Sequence, residues 1–328
     1  MPGLTFVSNA LSANDPGVHV EVRNSAEAHW IAACAVVAKW KDLDCSTSLG
    51  ETVKSILFSG LNSPVPEHHP EYDAQFDRAP SWGAPLQRIE AAAGIGCLLA
   101  NKKCLNPEIL ENARRALNDP VPAVRFQVVT RLLPLHDADL ASLWSILRDL
   151  ARSERSTGVL GSALYAVVNP LSGRCKSEVI DLLNTILSRN DLPNDGGDAT
   201  EWCYRIATGL YLWQGDASAY AVIQPVIDGE AFRPRRSAQC LNDIRGALTF
   251  SSDVPKESDA DIRKRSFGLI ETIIRSASVR MNKLIHGVAV KDRSEQWQND
   301  FKELARLIDY IGNQLYFSIK VQRPPARC

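Results

Sequence analysis

Apolar residues recur every three or four positions along most of the chain, which is the spacing of one face of an α-helix. The clearest case lies within residues 117–135, and its stripe is broad enough to pack on more than one side. The apolar positions are Val121, Val124, Val128, Val129, Leu132, Leu133 and Leu135. Asp119 suits an N-cap and Pro120 the first helical position, so the pattern predicts a helix that begins at Pro120.

The same periodicity predicts helices through the rest of the chain, and hence an all-α protein. Shorter patterns occupy residues 25–40, 48–61, 107–117, 139–150, 157–168, 176–187, 202–213, 217–227 and 238–250. Two longer patterns, at 261–285 and 294–319, predict helices of about 25 residues each. Such a pair would form a C-terminal hairpin that covers the exposed end of a helical array.

One sequence pattern occurs twice at a fixed offset. Pro85-Leu-Gln-Arg88 aligns with Pro122-Ala-Val-Arg125 at a distance of 37 residues. Helical repeats of roughly 40 residues are pairs of helices that bury their apolar sides only against a neighbouring pair. We therefore expect residues 85–100 and 122–135 to lie side by side in adjoining layers.

These residues resemble the HEAT-repeat family, a group of armadillo-like helical proteins, over about residues 81–151. The resemblance is carried by Asp119, Pro120, Val124 and Arg125, with Pro85 and Arg88 one repeat earlier. It implies a HEAT-like α-solenoid of antiparallel helix pairs. In that family the aspartate and arginine bond between adjacent repeats, so the resemblance gives this structural role to Asp119 and Arg125, and to Arg88, although Trp82 stands where the earlier aspartate belongs.

A second resemblance concerns residues 72–92, which are similar to segments in the C-terminal helical arrays of large bacterial multidomain proteins. It implies a stand-alone or truncated bacterial sensor arm.

The expected organisation is an irregular arm at 1–24, HEAT-like repeats over 25–250, a hairpin over 251–321 and a disordered tail at 322–328. An irregular insertion at 62–84 interrupts the repeats, and loops of that length are often functional.

Charge is distributed unevenly along the chain. Residues 1–229 carry 19 Lys and Arg against 26 Asp and Glu, and residues 230–328 carry 18 against 12. The basic C-terminal third is consistent with an acidic partner, with nucleic acid, or with a solvated face.

Cysteine usage and hydropathy indicate where the chain resides. The eight cysteines are widely spaced and include no C-x-x-C pair, so we expect reduced thiols and a cytoplasmic protein. The longest apolar run, Trp30 to Ala38, is far shorter than the roughly 18 residues that a membrane span needs. We therefore expect no membrane partner.

The motifs of common enzyme classes are missing from the sequence. Neither the phosphate-binding G-x-x-x-x-G-K-[ST] nor the nucleophile motif G-x-S-x-G occurs. The best set of metal-ligand side chains surrounds His68 and His69, but adjacent histidines in a loop point in different directions, so an acidic surface loop is the preferred interpretation. We predict no enzyme, no catalytic residues, no metal and no cofactor.

The predicted function is a non-catalytic scaffold or sensor arm that binds a protein partner on its helical surface. The alternative is nucleic-acid binding on the basic C-terminal third, because guanidinium groups pair well with phosphate. The candidate contacts for a protein partner are the 62–84 loop and the turn from Arg233 to Arg236. The residues predicted to contact either a protein or a nucleic acid are Arg233, Arg235, Arg236, Arg263, Lys264 and Arg265.

Overall fold

A computed structural model describes residues 43–81, 86–192, 198–230, 232–249, 257–289 and 293–321. These residues form helices joined by turns, without a strand among them, so the predicted all-α class is confirmed. Within these ranges no helix is both long and apolar enough to cross a membrane. The predictions for the arm at 1–24, the helix at 25–40, Pro85 and the tail at 322–328 concern residues outside the described ranges.

The described chain separates into two compact units. The first contains residues 43–170, 190–192 and 198–199, and the second contains the remainder. The helices of the first unit are α1 (Ser48–Gly60), α2 (Asp73–Arg78), α3 (Gln87–Leu98), α4 (Pro107–Leu117), α5 (Pro122–Val129), α6 (Leu135–Ala138), α7 (Leu140–Ser153) and α8 (Thr157–Ala163). A π-helical turn, Leu164–Val168, follows α8.

Side-chain caps explain where several of these helices begin. The side-chain oxygens of Thr47, Asn106, Asp139 and Ser156 accept backbone amides in the first turns of α1, α4, α7 and α8. The hydrogen bonds that Ser142 donates to Asp139 hold the pKa of this carboxyl below its usual range. Each cap satisfies an amide that has no partner inside its own helix.

Helices α1, α3, α5 and α8 pack side by side in that order, and α4 packs against both α3 and α5. The expected contact between residues 85–100 and 122–135 is therefore present. Two glycines of α3 allow this close approach: a Cβ atom at Gly94 would lie 2.6 Å from the Leu57 side chain, and one at Gly96 would lie 2.9 Å from the Arg131 side chain.

The start predicted for the helix after Asp119 is wrong, and the helix ends before the apolar stripe does. The helix α5 begins at Pro122, and Asp119 accepts the amide of Val121 instead of capping a helix that begins at Pro120. It ends at Val129, five residues before Pro134, which cannot continue a helix because it lacks a backbone N–H. Six of the seven residues of the predicted apolar stripe are nevertheless buried, including Leu132 and Leu135 beyond the end of α5, whereas Leu133 is only half-buried.

The irregular segment predicted at 62–84 contains helical structure. Its described residues, 62–81, include a 3₁₀ turn at Pro70–Tyr72 and the whole of α2, which packs against α5 and α8. We call residues 62–81 the insert.

The second unit includes the two longest helices of the described residues, at Glu257–Gly287 and Glu295–Val321. Its helices are α10 (Lys176–Leu187), α11 (Asp198–Gln214), α12 (Ala217–Ile227), α13 (Pro234–Cys240), α14 (Ile244–Thr249), α15 (Glu257–Gly287) and α16 (Glu295–Val321). The short α9 (Asn169–Leu171) and the first two residues of α11 include residues assigned to the first unit. Helix α16 packs against α13, α14 and α15. The indole of Trp297 in α16 donates to the Leu284 carbonyl of α15 at 2.8 Å.

The prediction of reduced cysteines is wrong for two of them. Cys45 and Cys104, 59 residues apart in sequence, form a disulfide between the segment before α1 and the turn before α4. The thiols of Cys97, Cys203 and Cys240 are free and buried, and burial raises the pKa of Cys240 to about 12. These three therefore behave as small apolar core residues.

Candidate functional site

An ion pair joins the beginning of α3 to the turn before α5. Arg88 Nε lies 2.7 Å from Asp119 Oδ2, at an angle too bent for a hydrogen bond, and both side chains are almost completely buried. The other two guanidinium nitrogens donate to the carbonyls of Ser63 at 2.8 Å and Pro66 at 2.6 Å. Asp119 also accepts the amide of Val121 at 2.9 Å. Arg88 therefore holds the insert and the next turn in one arrangement.

A second pair joins α5 to the turn before α8 in the same way. Arg125 makes a two-pronged contact with Glu154, with distances of 2.8 Å from Nε and 2.7 Å from Nη2 to its two oxygens. Its Nη1 donates to the carbonyls of Asp119 at 2.6 Å and Pro120 at 3.0 Å. Glu154, whose side chain is 3% exposed, also accepts the amide of Ser156 at 2.8 Å.

The two pairs form a ladder in which an arginine of one helix meets an acid that precedes the next helix. We call this set, Arg88 with Asp119 and Arg125 with Glu154, the charge ladder. The sequence pattern had placed the two arginines one repeat apart, and the structure gives them equivalent partners. Sequence reasoning missed Glu154. The available signal was an acid two residues before Ser156, a good N-cap residue.

The insert lies on the ends of the helices that the ladder joins. The Phe76 ring meets the Phe126 ring of α5 edge to face, with centroids 5.8 Å apart. Asp77 accepts hydrogen bonds from the hydroxyl of Ser156 and from the amide of Gly158 at 3.1 Å, at the beginning of α8. We call the insert and the N-terminal ends of α3, α5 and α8 the insert edge.

Two clefts open on the insert edge. The polar cleft, of about 480 Å³, is lined by Arg114, Arg125, Asp149, Ser153, Glu154 and Arg155 among others. The aromatic cleft, of about 400 Å³, is lined by Pro66, Glu67, His69, Tyr72, Phe76, Val121 and Pro122 among others. His68 and Asp73 line both clefts, and His68 Nε2 lies 3.1 Å from Asp73 Oδ2. The His68–Asp73 pair therefore lies between the two clefts.

The remaining residues of the predicted repeat motif belong to the core or accept a hydrogen bond from the ladder. Val124 is fully buried in α5, and the Pro120 carbonyl is one of the acceptors for Arg125. Asp119 and Arg125 meet through a backbone carbonyl, because the carboxylate of Asp119 is turned toward Arg88.

The basic residues predicted in the C-terminal third contact different elements of the second unit. Arg265 donates to the Leu212 carbonyl at 2.9 Å, at the C-terminal end of α11, where a cation is favourable. Arg263 donates to the carbonyl of Asp259, one turn earlier in α15. These two side chains are therefore engaged with backbone oxygens.

The other basic residues lie elsewhere. Arg235 Nε lies 3.9 Å from a Glu303 oxygen of α16, Arg233 bonds the carbonyl of Phe232, and Arg236 lies beside Tyr204 of α11. Lys264 is exposed on α15. The described contacts do not bring the six residues together, and nucleic-acid binding stays a prediction.

Comparison with protein-family models and with curated proteins identifies no relative. Among the described residues no group of three or more His, Cys, Asp or Glu is arranged to hold a metal ion.

Replacing Asp119 with alanine should lower the free energy of unfolding by about 1 to 3 kcal/mol, because the buried Arg88 loses its counter-charge. Asparagine at the same position keeps an acceptor for Val121 and should cost less. Urea unfolding followed by circular dichroism measures both variants. The neighbouring Asn118→Ala, at an exposed site, should change stability by less than about 0.5 kcal/mol. Equal losses for Asn118→Ala and Asp119→Ala would contradict the ladder.

Proposed function

We propose that this protein is a non-catalytic, HEAT-like helical-repeat scaffold that binds a protein partner at the insert edge. The observation that supports the proposal is the recurrence of the arginine–acid pair, first from α3 to the turn before α5 and then from α5 to the turn before α8. Such a recurrence agrees with the structural role that the HEAT resemblance gives to these arginines. Solenoids of this kind suit binding because the stack holds its shape while surface residues vary.

The insert edge is preferred as the binding surface because its framework is rigid and its outer residues are open. Arg88 and Arg125 use their donors on buried carboxylates and carbonyls, so the backbone around both clefts is held in place. Tyr72 and Arg155, by contrast, are exposed. A preformed surface loses less conformational entropy when a partner binds.

We propose no catalytic role, since the only histidine–carboxylate hydrogen bond described at the edge joins His68 to Asp73 and since Asp77 is held by α8. His68 faces Asp73, and Asp77 caps the beginning of α8. We propose no cytoplasmic location, because a disulfide such as Cys45–Cys104 persists in oxidising compartments.

Site-specific photo-cross-linking tests this proposal. A photoreactive phenylalanine analogue replaces Gln75, which lines the aromatic cleft, or Glu111, which is exposed on α4 and lines neither cleft. In the native cells, irradiation should give a discrete protein adduct at position 75 and none at position 111. Adducts of equal yield at both positions, or a nucleic-acid adduct alone, would overturn the proposed function.

A further inference from the structure

The aromatic cleft carries an excess of negative charge beside open aromatic rings. Tyr72 is 61% exposed, and its ring stands 5.7 Å from the His69 ring, edge to face. Glu67 lines the same cleft and is exposed, without a partner among the described residues. Such a cleft offers a cation both a ring face and a carboxylate.

The insert carries fewer positive than negative side chains. Residues 66–81 contain four carboxylates and one guanidinium, that of Arg78, which donates to the carbonyl of Ala74. Asp77 is engaged by α8, whereas Glu67, with Asp73 beside His68, remains at the cleft. The field at this cleft therefore favours a positively charged group.

We propose that the aromatic cleft binds an arginine side chain in an extended segment of the partner protein. This inference rests on the proposed function. The guanidinium plane would lie over the Tyr72 ring while its N–H groups donate to the Glu67 carboxylate. Arginine fits better than lysine, because a planar guanidinium stacks on an aromatic ring and pairs with both oxygens of a carboxylate.

Two synthetic peptides test the inference on the full chain. The fluorescein-labelled probe Gly-Ser-Pro-Arg-Pro-Ser-Gly is compared with the same peptide carrying citrulline, which has nearly the shape of arginine but no charge. Fluorescence anisotropy should show that the arginine peptide binds about fivefold or more tightly. Amide chemical shifts on titration should change in residues 66–81 and 121–123. Equal affinities, or shifts confined to other residues, would overturn the inference.

Three variants assign the binding to the cleft. Glu67→Gln and Tyr72→Leu should each reduce the affinity for the arginine peptide to that of the citrulline peptide. Both side chains are exposed, so neither change should unfold the protein. Glu111→Gln removes an exposed carboxylate that lines neither cleft, and should bind the arginine peptide like the natural protein. An unchanged affinity in Glu67→Gln would contradict the assignment.

The cross-linking and peptide experiments fail independently. If the arginine peptide does not bind but a protein adduct still forms at position 75, the arginine ligand is wrong and the scaffold function stands. If the peptide binds as described but position 75 gives no adduct, the proposed partner-binding function of the insert edge is overturned, and the preference of the cleft for arginine stands.

Discussion

Replacing Arg125 with methionine will lower the free energy of unfolding by about 3 to 5 kcal/mol, the usual cost of removing one member of a buried ion pair. Methionine keeps much of the apolar stem of the arginine but leaves Glu154 with only the amide of Ser156. The carbonyls of Asp119 and Pro120 lose a donor as well. Urea unfolding of the full chain measures the loss.

A double variant separates the stability lost with the ion pair from the stability lost with side-chain packing. The double replacement of Arg125 and Glu154 by methionine should recover a large part of the stability, because no buried charge then remains unpaired. As a matched control, Arg275→Met removes an arginine from an exposed pair with Glu271 and should cost less than about 1 kcal/mol. Similar losses for Arg125→Met and Arg275→Met would show that the ladder contributes little.

Val124→Asp will destabilise the first unit by several kcal/mol, because it places an unpaired carboxyl group at a fully buried position of α5. Val124→Thr nearly preserves the shape of the side chain and should cost about 1 to 3 kcal/mol through its buried hydroxyl. Thermal melts and urea unfolding give both values.

An exposed valine provides the control for that experiment. Val279 on α15 is 51% exposed, and Val279→Asp should leave stability within about 0.5 kcal/mol of the natural protein. If Val124→Asp proved as harmless as Val279→Asp, the broad apolar stripe of α5 would not be a core element.

The sequence predicted the buried positions well, because helical periodicity follows directly from which face meets the core. Val128, Leu132 and Leu135 are all fully buried. Helix bounds were harder to predict near Asp119, since the run Asp-Pro-Val-Pro offers two prolines suited to the first helical position. The structure uses Pro122, and this frees Asp119 for Arg88.

The partners in the candidate site depend on tertiary packing that periodicity does not encode. Arg88 meets Asp119 across 31 residues, and Arg125 meets Glu154 across 29. The acceptors of Arg88 in the insert are backbone carbonyls, which any residue type supplies. The Cys45–Cys104 disulfide likewise joins two segments whose proximity follows from the packing of α1 and α3.

We infer that the charge ladder and the insert form one cooperative edge. Amide hydrogen exchange, compared between the natural protein and Arg125→Met, tests it most directly. We expect faster exchange in α5, in α8 and in α2, because Asp77 and Phe76 attach α2 to those helices, and unchanged exchange in α15 and α16. Faster exchange confined to the turn around residue 125, with α2 and α8 unaffected, would contradict it.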